Sequence, residues 1–378
     1  MKQNIIEFLE REQYSFLRIE REFPEISGLR AILQNPVFHG EGNVWEHTRR
    51  VCEALLSFPE WQELKREEKG ILYLAALFHD IGKKRCTKLE DGKIISPRHA
   101  IIGAKMFRES WYLNYSEKFD ISFSEREEAA FLIRFHGLPL LFLEKKEIDR
   151  ELLRARECVK FSLLYLLGKA DGEGRICENQ MQVKQTMEYF KEYAKEIECF
   201  EERVNFANLF TRWRYFKGAN IWKEQKLFDE TEFPVYLMMG LPLSGKDTYI
   251  KQNLSEIPMV SLDVLREEMK ILPTESSTPV VARAKEIAKG YLRKKQAFVW
   301  NATNITFDIR TRIEGLCEKY GARVILIYLE APYEELLKRN EIRERKVPAV
   351  VIENMMHKMD MPEPIECYQV LKMGGIAF

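Results

Sequence analysis

One helix limits what the first half of this chain can fold into. Residues 71–78 read Ile-Leu-Tyr-Leu-Ala-Ala-Leu-Phe, and Ile71, Leu74, Ala75 and Phe78 recur at helical spacing. A run this apolar belongs in a core, yet it delivers His79 and Asp80 side by side. A buried carboxylate or lone imidazole is costly unless something satisfies it. A metal ion would satisfy both, and Gly82 would let the chain turn away.

The other histidines strengthen this reading. The chain has 6 histidines, and His47, His79, His99 and His136 are candidate ligands. In the helix predicted around His47, Val44, His47, Val51 and Leu55 share one face, which points His47 toward the core. An Asp-Gly hairpin predicted over 89–95 delivers His99 to the start of the next helix. His136 ends a helix running from Glu127, and metal or the leaving group of a phosphate ester could be its partner. Asp171 follows another apolar helix, 161–170. His39 lies in the loop before His47 and is expected outside the metal shell. The order His, His-Asp, His, His, Asp points to a divalent metal site.

This pattern resembles the HD superfamily of metal-dependent phosphohydrolases, which are all-helical. The resemblance implies His47, His79, Asp80 and Asp171 as core metal ligands, with His99 and His136 where members with a second metal place extra ligands. It implies Lys83, in His-Asp-Ile-Gly-Lys, as a contact to substrate phosphate. Residues 171–175, Asp-Gly-Glu-Gly-Arg, resemble the Asp-x-x-Gly-Arg ending in HD portions of some tRNA nucleotidyltransferases. The likeness spans roughly residues 30–200.

A second motif governs the other half. The run Pro234 to Met239 reads as a central parallel strand, and it leads into Gly240-Leu-Pro-Leu-Ser-Gly-Lys246. In Gly-x-x-x-x-Gly-Lys the glycines let backbone N–H groups turn inward around phosphate, and the lysine reaches the β- and γ-phosphates. Gly240, Ser244, Gly245, Lys246, Asp247 and Thr248 are therefore candidate nucleotide contacts. Asp247 stands where such loops carry the Ser or Thr that holds magnesium; Asp247 or Thr248 takes that part. Further strands are predicted at 258–262, 297–300 and 323–329, with helices between, which is a doubly wound α/β pattern.

At the end of the second strand, Asp263 can accept a proton from an attacking hydroxyl, and Arg266, one turn on, can hold a phosphate. A helix N-cap is the plainer reading of Asp263. Asn301 to Asn304 place polar groups at the nucleotide edge. The basic segment 337–348 reads as a solvated face or as a lid with arginines on the triphosphate. The stretch 212–217, Arg-Trp-Arg-Tyr-Phe-Lys, suits single-strand stacking or, more simply, interdomain packing at a boundary.

Over roughly residues 232–350, these motifs resemble the P-loop kinase domain of phage and bacterial polynucleotide 5′-kinases. That resemblance implies Asp263 as general base, Arg266 on the acceptor's phosphate, and Arg339 and Arg343 as lid arginines. The two halves together resemble bacterial HD-domain–polynucleotide kinase end-healing enzymes. The expected fold is two domains: an all-α HD domain over 1–205, a linker over 206–231, and an α/β P-loop kinase domain with a central parallel sheet over 232–378. The implied cofactors are ATP or another NTP with Mg2+ in the kinase half, and Ni2+, Co2+, Mn2+ or Cu2+ in the HD half. The implied substrates are RNA or DNA with 5′-OH and 2′,3′-cyclic phosphate or 3′-phosphate ends, with an RNA ligase as a downstream partner. The alternatives are a nucleotide-metabolism enzyme pairing HD hydrolysis of free nucleotides with a small-molecule kinase, and a nucleotide-gated RNA-binding module.

Charge gives a general polyanion binder no support, because 59 basic residues face 59 acidic ones. The 7 cysteines show no Cys-x-x-Cys spacing, so reduced thiols and a cytoplasmic location are expected. No run is long and apolar enough to suggest a signal peptide or membrane span.

Overall fold

The computed structural model describes residues 2–272 and 274–374. The chain divides into two compact units, residues 1–204 and 205–378.

The first unit is helical. Five helices carry its site: α1 (Val44–Ser57), α2 (Arg66–Phe78), α3 (His99–Leu113), α4 (Phe123–Phe135) and α5 (Phe161–Gly174). α1 starts on a capping Asn43, whose side chain accepts from Glu46 N at 2.9 Å. Its inner face is Val44, His47, Val51, Cys52 and Leu55, as the 3.6-residue period requires. α2 is buried from Gly70 to Phe78, so it runs through the core rather than along its surface. Ser122 and Glu125 form a reciprocal capping box that fixes the start of α4. The hairpin Lys88–Glu90 with Lys93–Ile95 turns through Asp91 and Gly92, both at positive φ.

Gly82 has a role other than turning the chain. Its φ is −63°, which any residue adopts. A Cβ there would lie 2.1 Å from the His99 carbonyl oxygen and 2.6 Å from Gly103 N. Glycine is needed because the segment after His79-Asp80 packs backbone to backbone on the start of α3. That contact brings His99 to the site.

The second unit is built on five parallel strands: β1 (Phe233–Met239), β2 (Met259–Ser261), β3 (Phe298–Asn301), β4 (Ala322–Glu330) and β5 (Gln369–Gly374), in the order β2-β3-β1-β4-β5. β1 lies at the centre, and Val235, Leu237, Met238 and Met239 are buried, as expected of a strand covered on both faces. One face packs Met238, Val299, Ile327 and Leu329 against Ile250 of the helix Lys246–Asn253 and Leu254 at its C-cap. β5 was not expected from the sequence: every residue in it is only half-buried, so its apolar signal is weak.

The expected linker 206–231 belongs to the second unit. It contains the helix Leu209–Phe216, whose Phe210 and Trp213 pack on Tyr368. Trp213 Nε1 donates to Glu314 Oε1 at 2.9 Å, and Arg214 pairs with Glu318 at 2.9 Å. The alternating basic and aromatic residues there are packing residues: Trp213 and Tyr215 are buried. Among the described residues, no helix is long and apolar enough to cross a membrane.

Candidate metal centre and nucleotide cradle

The first site gathers residues far apart in the chain. His47 comes from the middle of α1, and His79 caps the C-terminus of α2 with Asp80 beside it. His99 opens α3, His136 caps the C-terminus of α4, and Asp171 lies in the last turn of α5. His47 Nε2 is 3.1 Å from Asp171 Oδ1 and 3.8 Å from Asp80 Oδ2. His79 Nε2 is 3.3 Å from Asp80 Oδ2. On the other carboxylate oxygen, Asp80 Oδ1 lies 3.5 Å from His99 Nε2 and 3.9 Å from His136 Nε2. Asp80 therefore stands between two donor groups, His47-His79-Asp171 and His99-His136.

Three imidazoles are oriented from behind. His79 Nδ1 donates to Ala76 O at 2.7 Å, His99 Nδ1 to Ser96 O at 2.9 Å, and His136 Nδ1 to Ile133 O at 2.8 Å. Each bond leaves Nε2 as a lone-pair donor facing Asp80, which is the tautomer that a metal ion needs. The structure also leaves His79 Nε2 and Asp80 Oδ1 buried without a hydrogen-bond partner. Buried polar atoms are rarely left so. Orphaned ligand atoms in a cage of imidazoles and carboxylates fit a divalent transition metal, and His47, His79, Asp80, His99, His136 and Asp171 are the residues to hold it.

The charges agree. Burial alone would raise the Asp80 carboxyl, but Lys83 and His79 hold it well below the usual carboxylate range. Asp171 is likewise kept ionised against burial by Arg175 and His47. Burial, with His99 and His79 adding to it, pushes His136 down to about 3, so it is neutral and ready to ligate. Burial also lowers His99. His47 differs: burial would lower it, but the carboxylates of Asp171 and Glu41 outweigh that and raise it.

Lys83 Nζ sits 2.7 Å from Asp80 Oδ2 and donates to Gln34 Oε1 at 2.6 Å. It is 8% exposed, beside the shared carboxylate. Arg175 pairs with Asp171 at 2.9 Å. Glu41 and Gln34 were missed by sequence reasoning, because both lie in an aperiodic loop. His39 was placed outside the metal shell; in the structure its Nδ1 lies 2.8 Å from Glu41 Oε1, and its ring centre is 4.7 Å from that of His47.

The second site is nearly contiguous. Between β1 and the helix Lys246–Asn253, Gly240 has φ 151° and Gly245 has φ 97°, conformations that disfavour side chains. A Cβ on Gly240 would lie 2.4 Å from Leu329 O. Lys246 Nζ donates to the carbonyls of Gly240 and Leu241 at 3.1 and 2.8 Å, curled over the loop. Burial lowers its pKa to about 8, with Asp247 and Asp263 resisting. Ser244 Oγ and Arg339 Nη2 are buried without hydrogen-bond partners. Arg339 also donates through Nη1 to Leu243 O at 3.1 Å, so it is bound to the loop itself. These orphan donors suit phosphate oxygens.

The remaining predicted residues separate into those near the cradle and those turned elsewhere. Asp263 lies in the first turn of the helix Leu262–Glu268, but its N-cap is Ser261, whose Oγ accepts from Val264 N at 3.4 Å. The N-cap reading of Asp263 therefore fails, and its exposed carboxylate accepts no hydrogen bond among the described residues. Asp247 Oδ1 accepts from Asn301 Nδ2 at 2.7 Å, while Thr248 is exposed. Arg266 donates to Leu272 O at 2.8 Å and to Ser277 Oγ, so in this state it braces the following loop. Arg343 caps the C-terminus of the helix Tyr333–Ile342, close enough to act electrostatically on Lys246.

Comparison with known proteins agrees with both halves. A family model described as an HD domain matches residues 43–157, and one described as an AAA domain matches residues 235–362. An L-seryl-tRNA(Sec) kinase from Methanococcus maripaludis is 28% identical over 134 residues, which is 33% of this chain and 52% of the relative. The chain thus spans about half the length of that curated relative. A solved structure of an inferred kinase from Chloroflexus aurantiacus is 17% identical and covers 37% of this chain and 87% of its own, with a TM-score of 0.31, a likeness too low to bear on function.

Proposed function

We propose that this chain, an HD domain followed by a P-loop kinase-like domain and thus a bifunctional phosphohydrolase and kinase, heals broken nucleic-acid ends. Transesterification of RNA leaves a 2′,3′-cyclic phosphate and a 5′-OH, which a ligase cannot join. One active centre of each kind would convert both. The observation that carries the reading is Asp263: an exposed carboxylate in the first helical turn after β2, felt by Lys246, that does not cap its helix and accepts no hydrogen bond among the described residues.

In the kinase half, the loop amides, Ser244 Oγ, Lys246 and Arg339 would hold the β- and γ-phosphates of an NTP. Mg2+ would neutralise charge on the triphosphate. Asp263 would take the proton of the acceptor hydroxyl as its oxygen bonds to the γ-phosphorus, and the nucleoside diphosphate leaves. Arg266 would have to exchange its bonds to Leu272 and Ser277 for the acceptor's phosphate.

In the HD half, His47, His79, Asp80, His99, His136 and Asp171 would hold a divalent ion, which would supply Lewis acidity and an activated water. Lys83, steadied by Gln34 and Asp80, would hold the phosphate of the cyclic end. Asp80 and Asp171 stay ionised, and backbone carbonyls orient His79, His99 and His136 toward the ion. Water opens the cyclic ester, and a second hydrolysis removes the monoester.

The relative's name favours a second reading. A seryl-tRNA kinase phosphorylates a hydroxyl borne on RNA, so the acceptor here could be a seryl-tRNA instead of a 5′ end. The test is to incubate the chain with ATP, Mg2+, Mn2+ and an RNA oligonucleotide carrying 5′-OH and 2′,3′-cyclic phosphate ends, beside seryl-tRNA and mononucleotides. End healing predicts gain of a 5′-phosphate and loss of the cyclic end. Phosphorylation of seryl-tRNA alone selects the second reading, turnover of mononucleotides alone selects nucleotide metabolism, and binding without turnover selects a gated module.

A further inference from the structure

We propose that Glu41 is a positioning residue that fixes His47 for ion binding, and that His39 holds Glu41 in place. This rests on the ion-site reading of the HD half. His79, His99 and His136 each have Nδ1 tied to a backbone carbonyl, as described above. His47 has no such carbonyl. Its Nδ1 instead lies 2.9 Å from Glu41 Oε1. His47 Nδ1 is buried without a formed hydrogen bond, with its ring beside that carboxylate.

Glu41 is built in at three points. Its side chain is 1% exposed. Oε1 accepts from His39 Nδ1 at 2.8 Å, and Oε2 accepts from Ile176 N at 2.9 Å, just beyond Arg175. Gly40 N donates to Ile176 O at 2.8 Å, which closes the loop onto the same residue. Burial would raise the carboxyl, but His39 and His47 hold it well down. A buried carboxylate is retained only when paired, and here the pairs are two imidazoles and a peptide N–H.

The consequence concerns His47. It lies between two carboxylates, Asp171 at Nε2 and Glu41 at Nδ1. The ion shared with His79 and Asp171 takes the side of His47 that faces those ligands, which is Nε2. Glu41 then keeps a proton on Nδ1, aligns the ring and makes Nε2 a better donor. Of the four oriented ligands, this is the one whose support comes from a side chain, so a substitution can remove it without touching the backbone.

The test measures Co2+ affinity of the full chain by chelator competition, with the visible spectrum of the bound Co2+ as a second readout. Glu41→Gln keeps the shape and is expected to weaken Co2+ binding by about 10- to 100-fold and shift the spectrum, while kinase activity stays unchanged. His39→Gln should weaken binding less, and Glu41→Asp should restore part of the loss. Co2+ affinity in Glu41→Gln within about twofold of wild type overturns the proposal, whatever happens to its melting temperature. If Glu41→Gln does not fold, a crystal structure of the Zn2+-loaded wild type decides. Zn2+ on His47 Nε2 with Glu41 still against Nδ1 supports the proposal, and Glu41 swung away from His47 overturns it. A wild type that takes up no Co2+ at all overturns the ion-site reading as well, so the two failures are distinct.

Discussion

The two phosphate-handling centres are built in opposite ways. The HD centre gathers side chains from five helices, and two of its ligands in contact, His47 and Asp171, are 124 residues apart. Its candidate ligands are buried apart from the half-buried His99, and backbone carbonyls orient three of them. The nucleotide cradle is one loop of seven residues, 240–246, shaped by glycine conformations. A site assembled by tertiary packing fails when one buried charge is removed. A site assembled by local backbone fails when the backbone is altered.

Four substitutions or conditions press on that contrast. Asp80→Ala is expected to have the largest effect. It removes the carboxylate shared by both donor groups, so phosphoesterase activity and ion uptake should fall at least about a thousandfold while kinase activity stays within about twofold, measured on the same preparation. Lys246→Ala should do the reverse, with a kinase loss of about 100- to 1,000-fold in kcat and phosphoesterase unchanged. Gly240→Ala probes local backbone: a Cβ 2.4 Å from Leu329 O at φ 151° should displace the loop, cost about 2–3 kcal/mol in denaturant titration and lower kinase activity about a hundredfold. No single glycine of the cradle has a counterpart among the metal ligands, so an equal loss in the HD activity would break the comparison.

The smallest effect is electrostatic. Lys246 has its pKa lowered to about 8 by burial, so it is mainly charged at pH 7 and loses its proton as pH rises through about 8. Nucleotide phosphates stabilise the charged form, so binding takes up a proton above that pH. The nucleotide Kd should weaken by up to about tenfold per pH unit above about 8. Lys246→Arg, which keeps its charge, should flatten the profile. A profile equally steep in both proteins would assign the proton elsewhere.

The same contrast explains what could be read from the residues alone. The cradle was legible because its chemistry is local: Gly240, Gly245 and Lys246 lie within seven residues and follow an apolar strand. The ligands were legible because His79-Asp80 at the end of a fully apolar helix poses a solvation problem with few answers. What holds those ligands was not legible. Glu41 and Gln34 lie in an irregular loop, and only packing shows that Glu41 reaches His47 and that Gln34 reaches Lys83. His39 was set aside for the same reason. The segment 206–231 reads as a linker by composition, yet Trp213 finds Glu314 about a hundred residues away, a pairing no local pattern announces. β5 escaped notice because an edge strand in a parallel sheet needs little apolar character.

Independence of the two centres is the central claim, and complementation in trans tests it most directly. Asp80→Ala and Lys246→Ala proteins are mixed in equal amounts with ATP, Mg2+, Mn2+ and an RNA oligonucleotide bearing 5′-OH and 2′,3′-cyclic phosphate ends. The account predicts that each variant alone converts one end and that the mixture converts both at rates near wild type. A mixture that leaves either end unconverted, with both variants folded, would contradict it.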